Sequence, residues 1–326
     1  MPTPLISRDR YFQILDQMPQ PWHENYLAMY SSQFGGIITD PRLWTIPVDD
    51  HLVHRGDAAF DVFKCVNGRA YCLDDHLLKL KTTANKLGLR IPPDFEHIEK
   101  ILRDTVRASG EKDVLVRVTI SRGPGGFTSN PYESPLGLLI ITVLRLNPQN
   151  PEKYKKGVKV ITAPFLAKDP IIATMKTCSY IQNVLVKKAA LDAGADYAVS
   201  FGRDGFMTES STENIFIVSQ AREMLAPEWN IILKGTTLRR LMALAEDLVK
   251  DGQLSAVRHQ GITRAIVGNA AEALVCSTTT DALPITIWDE NPVGNGQVGP
   301  VARELLRRLR AEYTDPTSTF LVDFYD

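Results

Sequence analysis

A lysine, a glutamate and two threonine-rich turns carry the chemistry that this sequence can do. Lys176 stands in MKTCSYIQNVL, just ahead of a predicted helix and flanked by Ile171, Ile172, Ala173 and Met175. Apolar neighbours strip water from an ammonium, lower its pKa and make the amine a usable nucleophile. Lys187 and Lys188, in mid-helix, read instead as a solvated face. Glu209 lies in FMTESSTENIFIV between two apolar strand segments. A carboxylate there either caps a turn or pairs with a protonated heterocyclic nitrogen, as electron-sink chemistry requires. Lys234-Gly235-Thr236-Thr237 opens a helix, and the unpaired amides of a helix start form an anion site. Ser277-Thr278-Thr279-Thr280 ends a buried-looking strand, EALVC, and Arg55 in VHRGD has a guanidinium suited to a bidentate phosphate contact. Taken singly, Lys176 reads better as a surface lysine, and each threonine turn as ordinary capping. Together they make an amine, a carboxylate and three donor groups fit for one phosphate.

The elements that must position these groups are readable from periodicity. Residues 58–66 and 69–73 flank Asn67-Gly68, the strongest short hairpin signal. Asp74 is placed to cap a helix with Leu77, Leu80, Ala84 and Leu87 at helical spacing, stopped by Gly88. A second helix follows Asp94, with Phe95, Ile98, Leu102 and Val106 on one face and Gly110 at its end. Residues 114–120 alternate as a strand, and residues 137–144 form another. Residues 1 to 45 read as a polar lead-in without sustained period, and NPQNPEKYKKG, 147–157, as an interdomain linker. Beyond it come a strand over 158–165, a helix over 179–193 and a hairpin over 197–218. A helix over 238–250, strands near 272–276 and 285–288, and a last helix from Pro300 complete the chain. This mixture predicts an α+β chain with an N-terminal domain over 1–146 and a C-terminal domain over 158–326.

Composition narrows the function. The 326 residues include 37 basic and 38 acidic ones, without long blocks of either sign, which argues against nucleic acid as a partner. The longest near-apolar run, 136–144, is too short to span a bilayer, and the start lacks a signal peptide's apolar stretch. Four cysteines with no CxxC pair suit a reducing compartment, so the expectation is a soluble, cytoplasmic protein. GxGxxG, GxxxxGK[ST], HExxH and GxSxG are missing. His51-x-x-His54 has only Asp49 and Asp50 beside it, so no metal site is expected.

An imine partner, a counter-charge for a pyridine nitrogen and a phosphate cup are what pyridoxal phosphate requires. HRGDAAFDVFKCVNGRAYCLDDHLLKL, residues 54–80, resembles the opening segment of class IV, or fold-type IV, pyridoxal-phosphate enzymes. That group includes branched-chain and D-amino-acid aminotransferases, (R)-amine transaminases and aminodeoxychorismate lyase. MKTCSYIQNVL resembles its lysine segment, MTESSTENIFIV its glutamate segment, ILKGTTLRRLM its glycine-threonine turn, and CSTTTDALPIT its last strand and turn. The resemblance implies a small N-terminal α/β domain, a larger C-terminal α/β domain of pseudo-barrel character, and a homodimer with its site between domains. Lys176 would hold the cofactor as a Schiff base and shuttle protons, and Glu209 would face the pyridine nitrogen. Arg55, Thr236, Thr237, Thr278 and Thr279 would hold the phosphate. The implied reaction moves an amino group between an amino acid or amine and a 2-oxo acid. The alternatives within the fold are a lyase releasing pyruvate and, more remotely, a non-catalytic cofactor-binding protein.

Two departures bear on the substrate. Tyr180, assigned to the cofactor, follows the lysine by four residues, as in the lyase-like and D-amino-acid-like branches, rather than by five as in branched-chain enzymes. D-amino-acid aminotransferases carry an Arg-x-His carboxylate trap where this chain reads SRGPGGFTSN. Arg117, matching an arginine that assists carboxylate recognition in branched-chain enzymes, and Arg122 are the substrate-binding candidates.

Overall fold

The computed structural model describes residues 3–18 and 20–325. The chain divides into two compact units. The first comprises Met1–Tyr71, Leu80–Leu146 and Val322–Asp326, and the second Cys72–Lys79 and Asn147–Leu321. A single cut along the sequence therefore does not separate them. The stretch 147–157 is also not an open linker: Asn150 accepts the Glu152 N–H at 3.0 Å and caps the helix Pro151–Lys156.

The first unit is built on a sheet in the order Leu321–Asp323, Arg69–Tyr71, Ala58–Val66, Val114–Ser121, Leu139–Arg145, Tyr26–Ser31 and Gly36–Ile38. Val66 pairs with Arg69 across Asn67 and Gly68, whose φ values of 52° and 79° are the left-handed pair that a two-residue hairpin requires. Within the polar lead-in expected over residues 1–45, Tyr26–Ser31 is a strand that pairs with both Leu139–Arg145 and Gly36–Ile38. Its last four residues are all buried, so no alternation marks it. The helix Leu73–Lys86 starts ahead of Asp74, which lies in its first turn rather than at the cap. Ile98, Leu102, Thr105 and Val106 form the buried stripe of the helix Ile98–Ala108, while Phe95 falls in a preceding 3-10 turn, Pro93–His97.

In the second unit the sheet order is Ala256–His259, Glu223–Ala226, Asn214–Ser219, Ala270–Ser277, Asp281–Trp288, Val158–Leu166 and Tyr197–Phe201. The expected hairpin over 197–218 does not form. Tyr197–Phe201 runs parallel to Val158–Leu166 at one edge, whereas Asn214–Ser219 pairs with Glu223–Ala226 and Ala270–Ser277. The reason is burial: Asn214–Val218 is buried throughout and needs a neighbour along both edges. The chain reverses at Gly202, returns past Tyr197–Phe201 through a Phe201–Met207 bridge, and crosses to Asn214. Glu209 sits on that crossing. Ile215, Ile217, Val275, Leu283 and Ile285 lie at the centre of the core. Among the described residues no helix is long and apolar enough to cross a membrane.

Candidate active site

Lys176 lies in a short irregular segment between the helix Pro170–Ala173 and the helix Ile181–Asp192. Asp169 caps the first of these by accepting the Ile171 N–H at 2.9 Å. Lys176 is half-buried between the buried Met175 and Thr177. The apolar cradle expected around it is only partly there. Ala173 and Met175 are buried, but Ile171 is 73% exposed and Ile172 41%, so these two do not desolvate the amine. Tyr180, at the N-cap of the following helix, is half-buried and makes no side-chain cap.

Glu209 is the electrostatic centre. Its side chain is 12% exposed, and Oε1 stands 3.4 Å from Lys168 Nζ. Oε2 accepts the Leu233 N–H at 3.1 Å and Asn214 Nδ2 at 3.4 Å. Burial pushes its pKa up, while Lys168, the Leu233 amide and the charge of Lys176 pull it back. The Lys176 charge thus acts on Glu209 in the same direction as Lys168. Lys168 Nζ also donates to Asn183 Oδ1 at 3.4 Å, and Lys168, Asn183, Glu209, Ser210 and Ser211 line one pocket.

Asn214 carries the arrangement onward. Its Nδ2 also donates to the Leu233 carbonyl at 3.0 Å. A Cβ at Gly235 would lie 1.9 Å from Asn214 Oδ1. Glycine is therefore needed there so that Asn214 can brace Glu209 against the threonine turn; φ at this position is an ordinary −64°. Thr236 and Thr237, both buried, open the helix Thr236–Lys250, and no side chain caps its first amides. Lys79 Nζ donates to Thr236 Oγ1 at 2.9 Å, and Asp75 on the same helix pairs with Arg239 at 3.0 Å. Cys276 pairs with Asn214 across the sheet, which puts the turn Thr278–Thr279 at the same sheet end as Asn214 and the Glu209 bridge.

The two remaining arginines of the expected site, with Arg55, lie in the first unit. Arg55 donates to the Phe127 carbonyl and stands 3.2 Å from His54 Nε2, and within the second unit Lys79 is a cation on Thr236. Arg122 is committed elsewhere. It holds both Asp57 oxygens, at 2.6 and 3.0 Å, and the carbonyls of Leu87 and Gly88 at 2.9 Å. It ties down the helix end at Leu87 and Gly88. The Arg117 guanidinium lies 3.9 Å from the centroid of Phe60. His51 and His54 direct their Nε2 atoms at the carbonyls of Gly126 and Asp49. Sequence reasoning thus missed Lys168, Asn214 and Lys79. Only Asn214 left a signal, as a polar residue opening an otherwise apolar strand.

The family model described as amino-transferase class IV matches residues 58–288. The chain is 36% identical over 288 residues to the chloroplastic D-amino-acid transaminase of Arabidopsis thaliana, covering 88% of this chain and 76% of that protein. It is 25% identical over 293 residues to a putative branched-chain-amino-acid aminotransferase of Methanocaldococcus jannaschii, covering 89% and 98%. Among solved structures, the branched-chain aminotransferase of the thermophilic archaeon Thermoproteus uzoniensis with norvaline superposes with a TM-score of 0.82. Identity there is 22%, with 92% of this chain and 100% of that one covered, so this likeness speaks to fold.

Proposed function

The chain belongs to the class IV aminotransferases, which use pyridoxal 5'-phosphate to move an amino group between an amino acid and a 2-oxo acid, and from that premise we propose that its amino donor is a D-amino acid. The residues present in the second unit fit the cofactor. Glu209 is a braced carboxylate, the first amides of Thr236–Lys250 have no side-chain cap, and Ser210 Oγ is buried without a hydrogen-bond partner beside Glu209. When bound, pyridoxal phosphate supplies an electron sink for the donor's α-carbon.

The roles we assign follow from the geometry of each residue. Lys176 Nζ would hold the cofactor covalently and carry the donor's α-proton. Glu209 presents its carboxylate to the ring nitrogen. Its bracing by the Leu233 amide, Asn214 and Lys168 is the observation that carries these assignments. The amides of Thr236 and Thr237, with Lys79 beside them and Thr278 and Thr279 at the same sheet end, receive the phosphate. Tyr180, four residues beyond Lys176, borders the cofactor. Arg117, stacked on Phe60, is the partner for the donor carboxylate.

The D-amino-acid reading is supported by the 36% identity over 288 residues. With 2-oxoglutarate as acceptor, D-alanine is expected to give a kcat/KM about 10²-fold above that of L-leucine. A preference for L-leucine in the same assay would sink the D-donor reading and favour branched-chain L-amino acids.

A homodimer is part of the same proposal. On the helix Ile181–Asp192, Ile181, Val184, Leu185 and Leu191 are exposed on one side, and Phe165, Leu166, Ile171 and Ile172 are exposed in the same unit. Exposed apolar side chains in that number support a protein-covered surface. Light scattering is expected to return twice the chain mass of 36.3 kDa, and the double variant I181D/V184D about half the wild-type value; an unchanged dimer would move the interface elsewhere. Four cysteines in 326 residues, with no CxxC pair, support the cytosolic reading.

A further inference from the structure

The turn Thr278–Thr280 is closed by the pair Ser277–Asp281, and Asp281 has φ of 53°. Three-residue hairpin loops commonly end on a residue in the left-handed region, where glycine fits without cost. An aspartate there is strained by about 1 kcal/mol, so turn formation alone does not account for it.

Its carboxylate accounts for it. Asp281 is buried, and Oδ2 accepts Arg310 Nε at 3.1 Å and the Tyr313 hydroxyl at 2.8 Å. Both come from the last two turns of the helix Pro300–Thr314. The Arg310 guanidinium in turn lies 4.3 Å from the ring centroid of Tyr154, whose hydroxyl donates to the Thr280 carbonyl at 3.1 Å. Inside the turn, Ser277 Oγ lies 2.9 Å from Thr280 Oγ1 and 3.4 Å from Thr279 Oγ1. The far side of the turn is thus fastened at residues 280 and 281, and Thr278 and Thr279 form its tip.

We propose that Asp281, held by Arg310 and Tyr313, is a positioning residue for cofactor phosphate, fixing the backbone of the Thr278–Thr280 turn in the conformation that receives it. This rests on the assignment of Thr278 and Thr279 to the phosphate. Preorganised donors lose no ordering entropy on binding, so loosening the anchor weakens binding without removing any contacting group.

D281G separates positioning from folding, because glycine relieves the backbone strain while deleting the anchor. Y313F removes the hydroxyl that Asp281 accepts and keeps the ring. E304Q, which breaks the Glu304 ion pairs with Arg307 and Arg308 on the same helix, serves as a control that loosens the helix away from the turn. T278V tests the turn itself. Pyridoxal phosphate affinity of the apo-protein, the ³¹P resonance of the bound cofactor and thermal stability are measured on all four. We expect D281G and Y313F to raise Kd at least about fivefold and to shift the phosphorus resonance toward the free value, with E304Q leaving both unchanged. If D281G and Y313F lower stability alone, or if E304Q weakens binding equally, Asp281 is structural and the proposal fails. If T278V also leaves Kd and the resonance unmoved, the assignment of the turn to the phosphate fails with it.

Discussion

Lys176→Ala is expected to lower the rate of transamination by about 10⁴-fold, because one amine supplies both the covalent hold on the cofactor and the proton transfer. Lys176 sits in an irregular segment and is half-buried, so alanine leaves the fold within about 1 kcal/mol of the wild type. The phosphate contacts and Glu209 remain, and the variant should therefore still bind pyridoxal phosphate, without covalent attachment. Borohydride treatment followed by peptide mass analysis is expected to find the cofactor's mass on the Lys176 peptide of the wild type and on no peptide of the variant. Lys176→Arg keeps the positive charge that acts on Glu209 but lacks a nucleophilic amine. It should be as inactive as the alanine variant, which assigns the loss to chemistry rather than to electrostatics. A variant keeping a tenth of the wild-type rate would remove Lys176 from the mechanism.

What the sequence revealed and what it hid follow from range. The hairpin at Asn67-Gly68 and the stripe of Ile98, Leu102 and Val106 were readable because their physics is local. Tyr26–Ser31 escaped because a strand buried on both faces loses the alternation that marks a half-exposed one. The mistaken hairpin over 197–218 has the complementary cause. Two apolar segments around a polar turn look paired, yet the partners of Asn214–Ser219 arrive from residues 223–226 and 270–277. The site divides the same way. Glu209 and the threonine turns stand in recognisable segments, whereas Lys168 acquires meaning only when the end of Val158–Leu166 brings it to within 3.4 Å of Glu209. Ile171 and Ile172 show the converse, apolar in sequence yet facing solvent.

Glu209→Gln is expected to lower kcat by about 10²–10³-fold, since the amide keeps the shape but cannot balance a protonated ring nitrogen in a water-poor site. The stronger test is pH dependence. Burial raises the pKa of Glu209, and Lys168 Nζ at 3.4 Å is the first of the groups that counter it, ahead of the Leu233 amide and the Lys176 charge. Receiving the protonated ring nitrogen needs the carboxylate, so the apo-protein's affinity for pyridoxal phosphate falls as pH drops through this raised value, and its pH profile has an acid limb there. Lys168→Met removes the largest counter-charge and is expected to move the acid limb to higher pH, whereas Lys168→Arg restores it. Stability has a definite sign as well. A carboxyl whose native pKa is raised binds more protons folded than unfolded between its ordinary and its raised value. Through Glu209 the fold therefore loses stability as pH rises across that window, more so in Lys168→Met, and Glu209→Gln abolishes this contribution. An acid limb that stays in place in Lys168→Met would show that the ionisation of Glu209 is set by the Leu233 amide and Asn214 instead.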